Sequence, residues 1–266
     1  MSHSVRVAAI IPARLASGRF PGKPLLDIRG LPMVEHVRRR SVLCRKFTDV
    51  VVATCDREIA SVVERFGGRV VMTSAAHPGA TDRVAEAATH LDCTHVVNVQ
   101  GDEILVLPEH LERMAEAIEA APNEQAWNAL GRIGSLGELS DPSIVKCVVS
   151  LAGRVLYCAR NFPPMIAGDH LQGPVRKVLG LLGFHRAFLA RYPAMPRTPL
   201  ELQEGIDQSR IIEHDIVLQG VELPVGYPGI NEPRDVALVE RYLDEDPAQQ
   251  AVLREIFASS MEQSVS

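Results

Sequence analysis

The sequence predicts an α/β fold built on a parallel, doubly wound sheet, and three observations point there. The apolar runs Val7-Ala8-Ala9-Ile10-Ile11, Asp49-Val50-Val51-Val52-Ala53-Thr54 and Arg69-Val70-Val71-Met72-Thr73 alternate with stretches of helical spacing in the first 73 residues. That is the period of strand–helix–strand units with right-handed crossovers. Their central stretches, Val7–Ile11, 50–53 and 70–72, are apolar without alternation, as strands covered on both faces are. The chain of 266 residues is 46% hydrophobic and 23% charged, a balance that suits one large core or two modest ones.

Taken in order, Pro12 is expected to end the first strand, because proline cannot donate to a ladder. Pro24-Leu25-Leu26-Asp27-Ile28-Arg29-Gly30 is a short apolar piece, and Pro32 sits in the first turn of a helix whose apolar side holds Met33, Val34, Val37 and Val42. Arg38, Arg39, Arg40, Arg45 and Lys46 are expected to face solvent and to suit that helix's C-terminus. A second helix covers 56–66 and stops at Gly67-Gly68. The turn-rich run 74–83 leads to a third helix over about 82–91 with Thr81 as its N-cap. His95-Val96-Val97-Asn98-Val99 is the next strand, and a helix follows from Pro108 to Ala121.

In the second half, Ala126-Trp127-Asn128-Ala129-Leu130 reads as a strand with Trp127 in the core. The runs 144–149 and 155–160 form a hairpin around Leu151-Ala152-Gly153-Arg154, which makes the sheet mixed. The stretch 161–174 reads as a loop able to move over a site. Then come a strand over 179–184, a short helix over 187–192 and one helix through Leu200, Leu202, Ile206, Ile211 and Ile212. A strand over 221–225 and a terminal helix close the chain, with the last six residues fraying.

Composition excludes several classes of function. A net charge of −5 and a pI near 6.0 argue against a nucleic-acid binder that works through a broad basic surface. The five cysteines, Cys44, Cys55, Cys93, Cys147 and Cys158, are odd in number and lack Cys-x-x-Cys spacing, so they read as reduced thiols rather than a disulfide frame or zinc site. The N-terminus is too polar to begin a secretion signal, and no apolar run approaches the ~18 residues of a membrane span. A cytoplasmic protein is expected.

After the first strand come three cations, Arg14, Arg19 and Lys23, in a loop that also holds Ser17, Gly18 and Gly22. This is not the Gly-x-x-x-x-Gly-Lys-Ser/Thr phosphate loop, because its only Gly-Lys is followed by Pro24. Nor does Gly-x-Gly-x-x-Gly follow the strand. As an isolated cluster the cations read as a solvated basic loop. Open parallel sheets, however, bind ligands beyond the carboxyl ends of their strands, and the loops at 12–24, 74–83 and 100–103 are all expected on that rim. The last contains Gln100-Gly101-Asp102-Glu103, whose carboxylates suit a divalent ion bound to a polyphosphate; its plainer reading is an acidic turn.

Four motifs in this order carry a resemblance: Ile11-Pro12-Ala13-Arg14 with Pro21-Gly22-Lys23-Pro24, the piece from Gly67-Gly68 to Met72-Thr73, Thr81-Asp82-Arg83, and Asn98-Val99-Gln100-Gly101-Asp102-Glu103. Together they resemble the 3-deoxy-manno-octulosonate (Kdo) cytidylyltransferases, which couple a sugar acid to CMP, and the likeness covers most of the chain. It implies a Rossmann-like nucleotidyltransferase fold with a mixed, mainly parallel sheet and a smaller acceptor and dimerisation lobe. Residues 1–266 would form one domain, about 5–122 binding CTP and about 123–245 binding the acceptor and forming a homodimer. The resemblance further implies catalytic roles for Arg14, Lys23 and Asp102, and nucleotide contacts from Pro12, Ala13, Arg14, Ser17, Arg19, Lys23, Thr81, Arg83 and Gln100. Arg160, Lys177, Asp207 and Gln208 would serve the acceptor, and Asp102 with Asn231 would hold Mg²⁺.

The departures from that pattern concern mostly the acceptor. Where the family has a His-x-Gly-x-Tyr-Gly-like strand, this chain has Val178-Leu179-Gly180-Leu181-Leu182-Gly183, so Val178 and Leu182 replace His and Tyr. A site without those hydrogen-bonding groups should hold a polyhydroxylated sugar poorly. The family's Glu-Gln pair reads Asp207-Gln208, its Gly-Val-Asp reads Gly229-Ile230-Asn231 beside Glu232, and Gly79-Ala80 stand for Ser-Gly. Three functions follow: CMP transfer to Kdo or a related sugar acid, CMP transfer to a smaller anion such as the phosphonate phosphonoformate, or nucleotide binding without catalysis. Retained Arg14, Lys23 and Asp102 speak against the third.

Overall fold

Residues 4–16, 20–162 and 173–263 are described by the computed structural model. Ser17 and Arg19, and residues 163–172 of the loop expected to move, lie outside them. In chain order the strands are β1 (Val7–Ala13), β2 (Asp27–Ile28), β3 (Leu31–Pro32), β4 (Phe47–Thr54), β5 (Arg69–Met72), β6 (His95–Val99), β7 (Ala126–Arg132), β8 (Lys146–Val149), β9 (Val155–Ala159), β10 (Val175–His185) and β11 (Leu218–Glu222). The helices are α1 (Met33–Val42), α2 (Arg57–Arg65), α3 (Ala80–Ala88), α4 (Pro108–Ala120), α5 (Leu136–Ser140), α6 (Arg186–Arg191), α7 (Pro199–Glu204), α8 (Asp207–Glu213), α9 (Asp235–Glu245) and α10 (Pro247–Gln263).

The main sheet runs β11-β7-β10-β6-β1-β4-β5, with β8 on β10 and β9 on β8. β1 pairs parallel with both β4 and β6, whereas β10 runs antiparallel to β6 and β7. Because side chains alternate across a strand, β1 feeds two cores. Ala8 and Ile10 pack with Val84 of α3, Phe188 of α6 and Ile211 of α8. Val7, Ala9 and Ile11 pack with Val34 of α1, Ile59 of α2 and Met114 of α4. The result is a three-layer α/β/α body, mixed but with a parallel central block. The chain moves outward from β1 to β4 and β5 and then returns to β6 on the other side. The carboxyl ends of β1 and β6 therefore flank a topological switch point, where such sheets bind ligands.

Several local expectations are corrected. β1 continues through Pro12 to Ala13, because its ladder to β6 ends at Ile10 and Asn98 and only the β4 side stays paired. Thr81 is not an N-cap: α3 starts at Ala80 with Gly79 before it, and the Thr81 hydroxyl reaches Asp207 instead. Arg38 and Arg40 do not face solvent. Arg38 forms a two-pronged ion pair with buried Glu35, and Arg40 reaches inward to donate to the Val106 carbonyl, while Val42 is the exposed residue. The single helix expected across 200–212 is two, α7 and α8, parted by Gly205 at φ 65°. The last strand lies at Leu218–Glu222, and the terminal helix is two helices broken before Pro247.

Candidate active site

The basic loop is closed by its own backbone. The Leu15 N–H donates to Asp56 Oδ2 at 2.8 Å, and the Leu15 carbonyl accepts the Gly22 N–H at 3.0 Å. Gly22 has φ 74°, a left-handed conformation that glycine adopts without strain, and it turns the chain into a 3₁₀ turn over Lys23–Leu25. Lys23 then points at the acidic turn. Its Nζ donates to Asp102 Oδ2 at 3.2 Å and to the Ile230 carbonyl at 2.7 Å.

Residues 100–103 form a tight turn at the end of β6, closed by the Glu103 N–H on the Gln100 carbonyl at 3.0 Å. The backbone is pressed close on several sides. A Cβ on Gly101 would lie 2.9 Å from the Pro12 carbonyl oxygen, and one on Gly229 would lie 2.7 Å from the Asp102 carbonyl oxygen. Glu103 turns its carboxyl onto β10, where Oε1 accepts the Gly180 N–H at 2.7 Å. Desolvation of that carboxyl, with the Asp102 charge beside it, pushes its pKa up to about 7 against the opposing Gly180 hydrogen bond and Lys23.

The third loop is braced from α3. Glu86 accepts the Ser74 N–H at 2.9 Å and contacts the His77 ring, and the hydrogen bond from His77 is the main cause lowering its pKa. Arg83, buried, donates through Nη1 to the Thr73 hydroxyl at 2.7 Å. Together the three loops enclose a cavity of about 250 Å³. It is lined by Pro12, Ala13, Arg14 and Lys23, by Gly79, Ala80 and Arg83, and by Gln100, Gly101 and Asp102. Arg14 is exposed at its mouth. The cations and the carboxylate thus lie on one rim, as a site for a polyphosphate with a divalent ion requires.

The remaining candidates divide. Thr81 Oγ1 donates to Asp207 Oδ2 at 3.3 Å, and burial, with Glu201 nearby, raises the pKa of the Asp207 carboxyl. Gln208 Nε2 donates to Asn128 Oδ1 at 2.8 Å, so α8 is tied both to the first turn of α3 and to the sheet. Arg160 is committed elsewhere, with its N–H on Glu204 Oε2 at 3.0 Å and its Nε on the Glu204 carbonyl at 2.9 Å. Lys177 pairs with Glu138 at 2.9 Å and packs beside Leu179 against Gly226. Leu179 belongs to the core opposite the one that holds Leu182, so Lys177 is not brought together with Asp207 and Gln208.

Asn231 lies one residue beyond Ile230, whose N–H donates to the Asp102 carbonyl at 3.2 Å. The segment that carries Asn231 is therefore beside the Asp102 turn, and a carboxylate with an amide oxygen is a hard-oxygen donor type that suits Mg²⁺ when phosphate oxygens and water complete the shell. Among the described residues no group of three His, Cys, Asp or Glu side chains could hold a metal by itself. Sequence reasoning missed Pro24 and Met33 in the cavity wall and the Ile230 carbonyl that receives Lys23. The approach of that segment to Asp102 was signalled by Gly229 and by the resemblance that pairs Asn231 with Asp102, but not the carbonyl contact itself.

Comparison with known proteins agrees with this geometry. The family model described as cytidylyltransferase matches residues 8–222. The chain is 39% identical over 245 residues to a 3-deoxy-manno-octulosonate cytidylyltransferase of Geobacter sulfurreducens, covering 88% of this chain and 98% of that one. It is 38% identical over 246 residues to an 8-amino-3,8-dideoxy-manno-octulosonate cytidylyltransferase of Shewanella piezotolerans, covering 91% and 100%. Among solved structures, CMP:2-keto-3-deoxy-manno-octonic acid synthetase complexed with CTP superposes with a TM-score of 0.83 at 30% identity, covering 91% of this chain and 99% of that one.

Proposed function

Because the chain belongs to the cytidylyltransferase family and is a CTP-dependent nucleotidyltransferase, we propose that it transfers CMP to a small anionic acceptor other than standard Kdo, with phosphonoformate as the representative, releasing pyrophosphate. The observation that carries this choice is Leu182. It is 1% exposed and lies in register between Asn98 of β6 and Asn128 of β7. An apolar side chain therefore interrupts a polar row, at the position where the resemblance calls for a tyrosine. Val178, on the same face, stands where it calls for a histidine.

In this reading the acceptor oxygen attacks the α-phosphorus of CTP in line. Arg14, Ser17, Arg19 and Lys23 would hold the phosphates and Thr81, Arg83 and Gln100 would contact the nucleotide, with Lys23 stabilising charge on the departing pyrophosphate, so that positioning and electrostatics supply most of the rate. Asp102, with Asn231, would hold Mg²⁺, which when bound supplies charge neutralisation at the phosphates. A homodimer would cover Leu151, Leu156 and Tyr157, exposed on the β8–β9 hairpin. The second reading, CMP transfer to Kdo or its 8-amino analogue, is favoured by the names of the relatives.

Pyrophosphate release with CTP and MgCl₂ against Kdo and phosphonoformate separates the two. Turnover with phosphonoformate and little with Kdo is expected. Efficient turnover with Kdo alone would reject the proposed acceptor.

A further inference from the structure

Both backbone polar groups of Gly180 are held by the two ends of the Asp102 turn. The Gln100 N–H donates to the Gly180 carbonyl at 2.9 Å, and the Gly180 N–H donates to Glu103 Oε1 at 2.7 Å. Gly180 lies one residue beyond the Leu181–Val99 pair, where the ladder of β10 to β6 ends, so its N–H, which faces β6, has no strand carbonyl and is taken by Glu103 instead. The Glu103 side chain fills the space beside it: a Cβ on Gly180 would lie 2.4 Å from Oε1 and 2.8 Å from Cγ. Asp102 stands between the two anchors, and the same stretch of β10 carries Val178 and Leu182.

We propose that Glu103 is a positioning residue that sets the acceptor strand against the nucleotide-binding turn, so that ordering of the turn by CTP is transmitted to β10. This rests on the CTP-binding reading above, but not on the identity of the acceptor. The physical reason is geometric. A backbone N–H just beyond the end of a ladder is free to wander unless a side chain captures it. A carboxylate is the stronger acceptor for it. Glu103 supplies that acceptor from the residue next to Asp102, so movement of one end of the link moves the other.

The test compares Glu103→Gln, which keeps an oxygen able to accept the Gly180 N–H, with Glu103→Ala, which does not. Hydrogen exchange of the Gly180 amide is followed by NMR in the full chain, with and without CTP and MgCl₂, and CTP binding is measured separately by calorimetry. Without ligand, exchange at Gly180 should be about tenfold faster in Glu103→Ala than in wild type and near wild type in Glu103→Gln. CTP with Mg²⁺ should slow it at least threefold further in wild type and Glu103→Gln but not in Glu103→Ala, while the Kd for CTP changes less than about threefold. With whichever of Kdo or phosphonoformate turns over, kcat should fall about tenfold in Glu103→Ala and be restored by Gln.

Equal exchange in the two variants, or no response of Gly180 to bound CTP in wild type, overturns the proposal. Loss of CTP binding and of thermal stability together in Glu103→Ala, without rescue by Gln, would assign Glu103 a purely structural role and also overturn it. Absence of CTP binding in wild type would be seen in the calorimetry and would overturn the nucleotide reading itself. Failure of both acceptors with intact CTP binding would count against the proposed acceptor, leaving the exchange result to decide the role of Glu103.

Discussion

Lys23 Nζ lies 3.2 Å from Asp102 Oδ2, joining the basic loop after β1 to the acidic turn after β6. The pair is largely shielded, with side-chain exposures of 13% and 22%, and Lys23 also donates to the Ile230 carbonyl. A divalent ion at Asp102 and a phosphate at Lys23 would each take the place of the other's partner. In the proposed reaction the pair would part, Lys23 turning to phosphate and Asp102 to the ion. Lys23→Met keeps the apolar stem and removes the charge. It should lower kcat by about 100-fold, the scale of losing one donor to developing charge, and weaken CTP binding less, by about tenfold. Steady-state pyrophosphate release and CTP calorimetry on the same preparation check both. Lys23→Arg should not restore the rate, because a planar guanidinium does not replace a compact ammonium.

Thr81 and Asp207 form the corresponding link between the first turn of α3 and α8, at 3.3 Å. Asp207 sits with Glu201 and Asp82 nearby, and burial is the main cause raising its pKa, so the Thr81 hydroxyl is one of few groups that favour its charge. Thr81→Val and Asp207→Asn should each destabilise the fold by about 1–2 kcal/mol. In the double variant the losses should fall short of their sum by about 1 kcal/mol, as for residues in direct contact. Urea unfolding of the four proteins measures the coupling, and strict additivity would mean the contact contributes nothing.

His36 gives the fold an acid limit. It is fully buried, with Nε2 2.8 Å from the Ile28 carbonyl oxygen, and burial lowers its pKa to about 4. A pKa depressed on folding favours the neutral ring, so its contribution is fully present above the unfolded value of ~6.5 and is lost as pH falls toward 4. That difference corresponds to about 3 kcal/mol. His36→Gln keeps a donor for the Ile28 carbonyl and removes the titration. Between pH 7 and pH 4 the unfolding free energy should fall by about 3 kcal/mol less in His36→Gln than in wild type. Parallel curves for the two proteins would show that His36 does not titrate in this window.

β1, β4 and β5, the rim and the pairing of a basic with an acidic loop were legible because each rests on a local signal: an apolar run, a glycine-rich turn or a motif. What escaped depends on partners far away in the chain. Arg40 reads as one more surface cation in Arg38-Arg39-Arg40, and only the fold turns it inward to the Val106 carbonyl. Lys177 looked available for an acceptor, but strand alternation puts it with Leu179, on the face away from Leu182, where it meets Glu138. Arg160 was similarly claimed by Glu204, a residue 44 positions on. Pattern gives the face of an element, and tertiary pairing decides which charges remain free.

The acceptor assignment makes the most demanding prediction. Leu182 shares a register row with Asn98 and Asn128, and both amide atoms of Asn98 are buried without a hydrogen-bond partner. Leu182→Tyr would bring a hydroxyl to the face that carries these amides, and Val178→His would add a second polar group on it. Cross-strand neighbours are close enough for such side chains to interact. The added volume should cost about 1–3 kcal/mol of stability, since Leu182 is in a packed core. If loss of these groups is what excludes a polyhydroxylated acid, the double variant should gain at least tenfold in kcat/KM for Kdo, with the KM for CTP unchanged. Turnover of phosphonoformate should not rise in parallel. A variant that folds, binds CTP and shows no gain with Kdo would mean that positions 178 and 182 do not set acceptor choice.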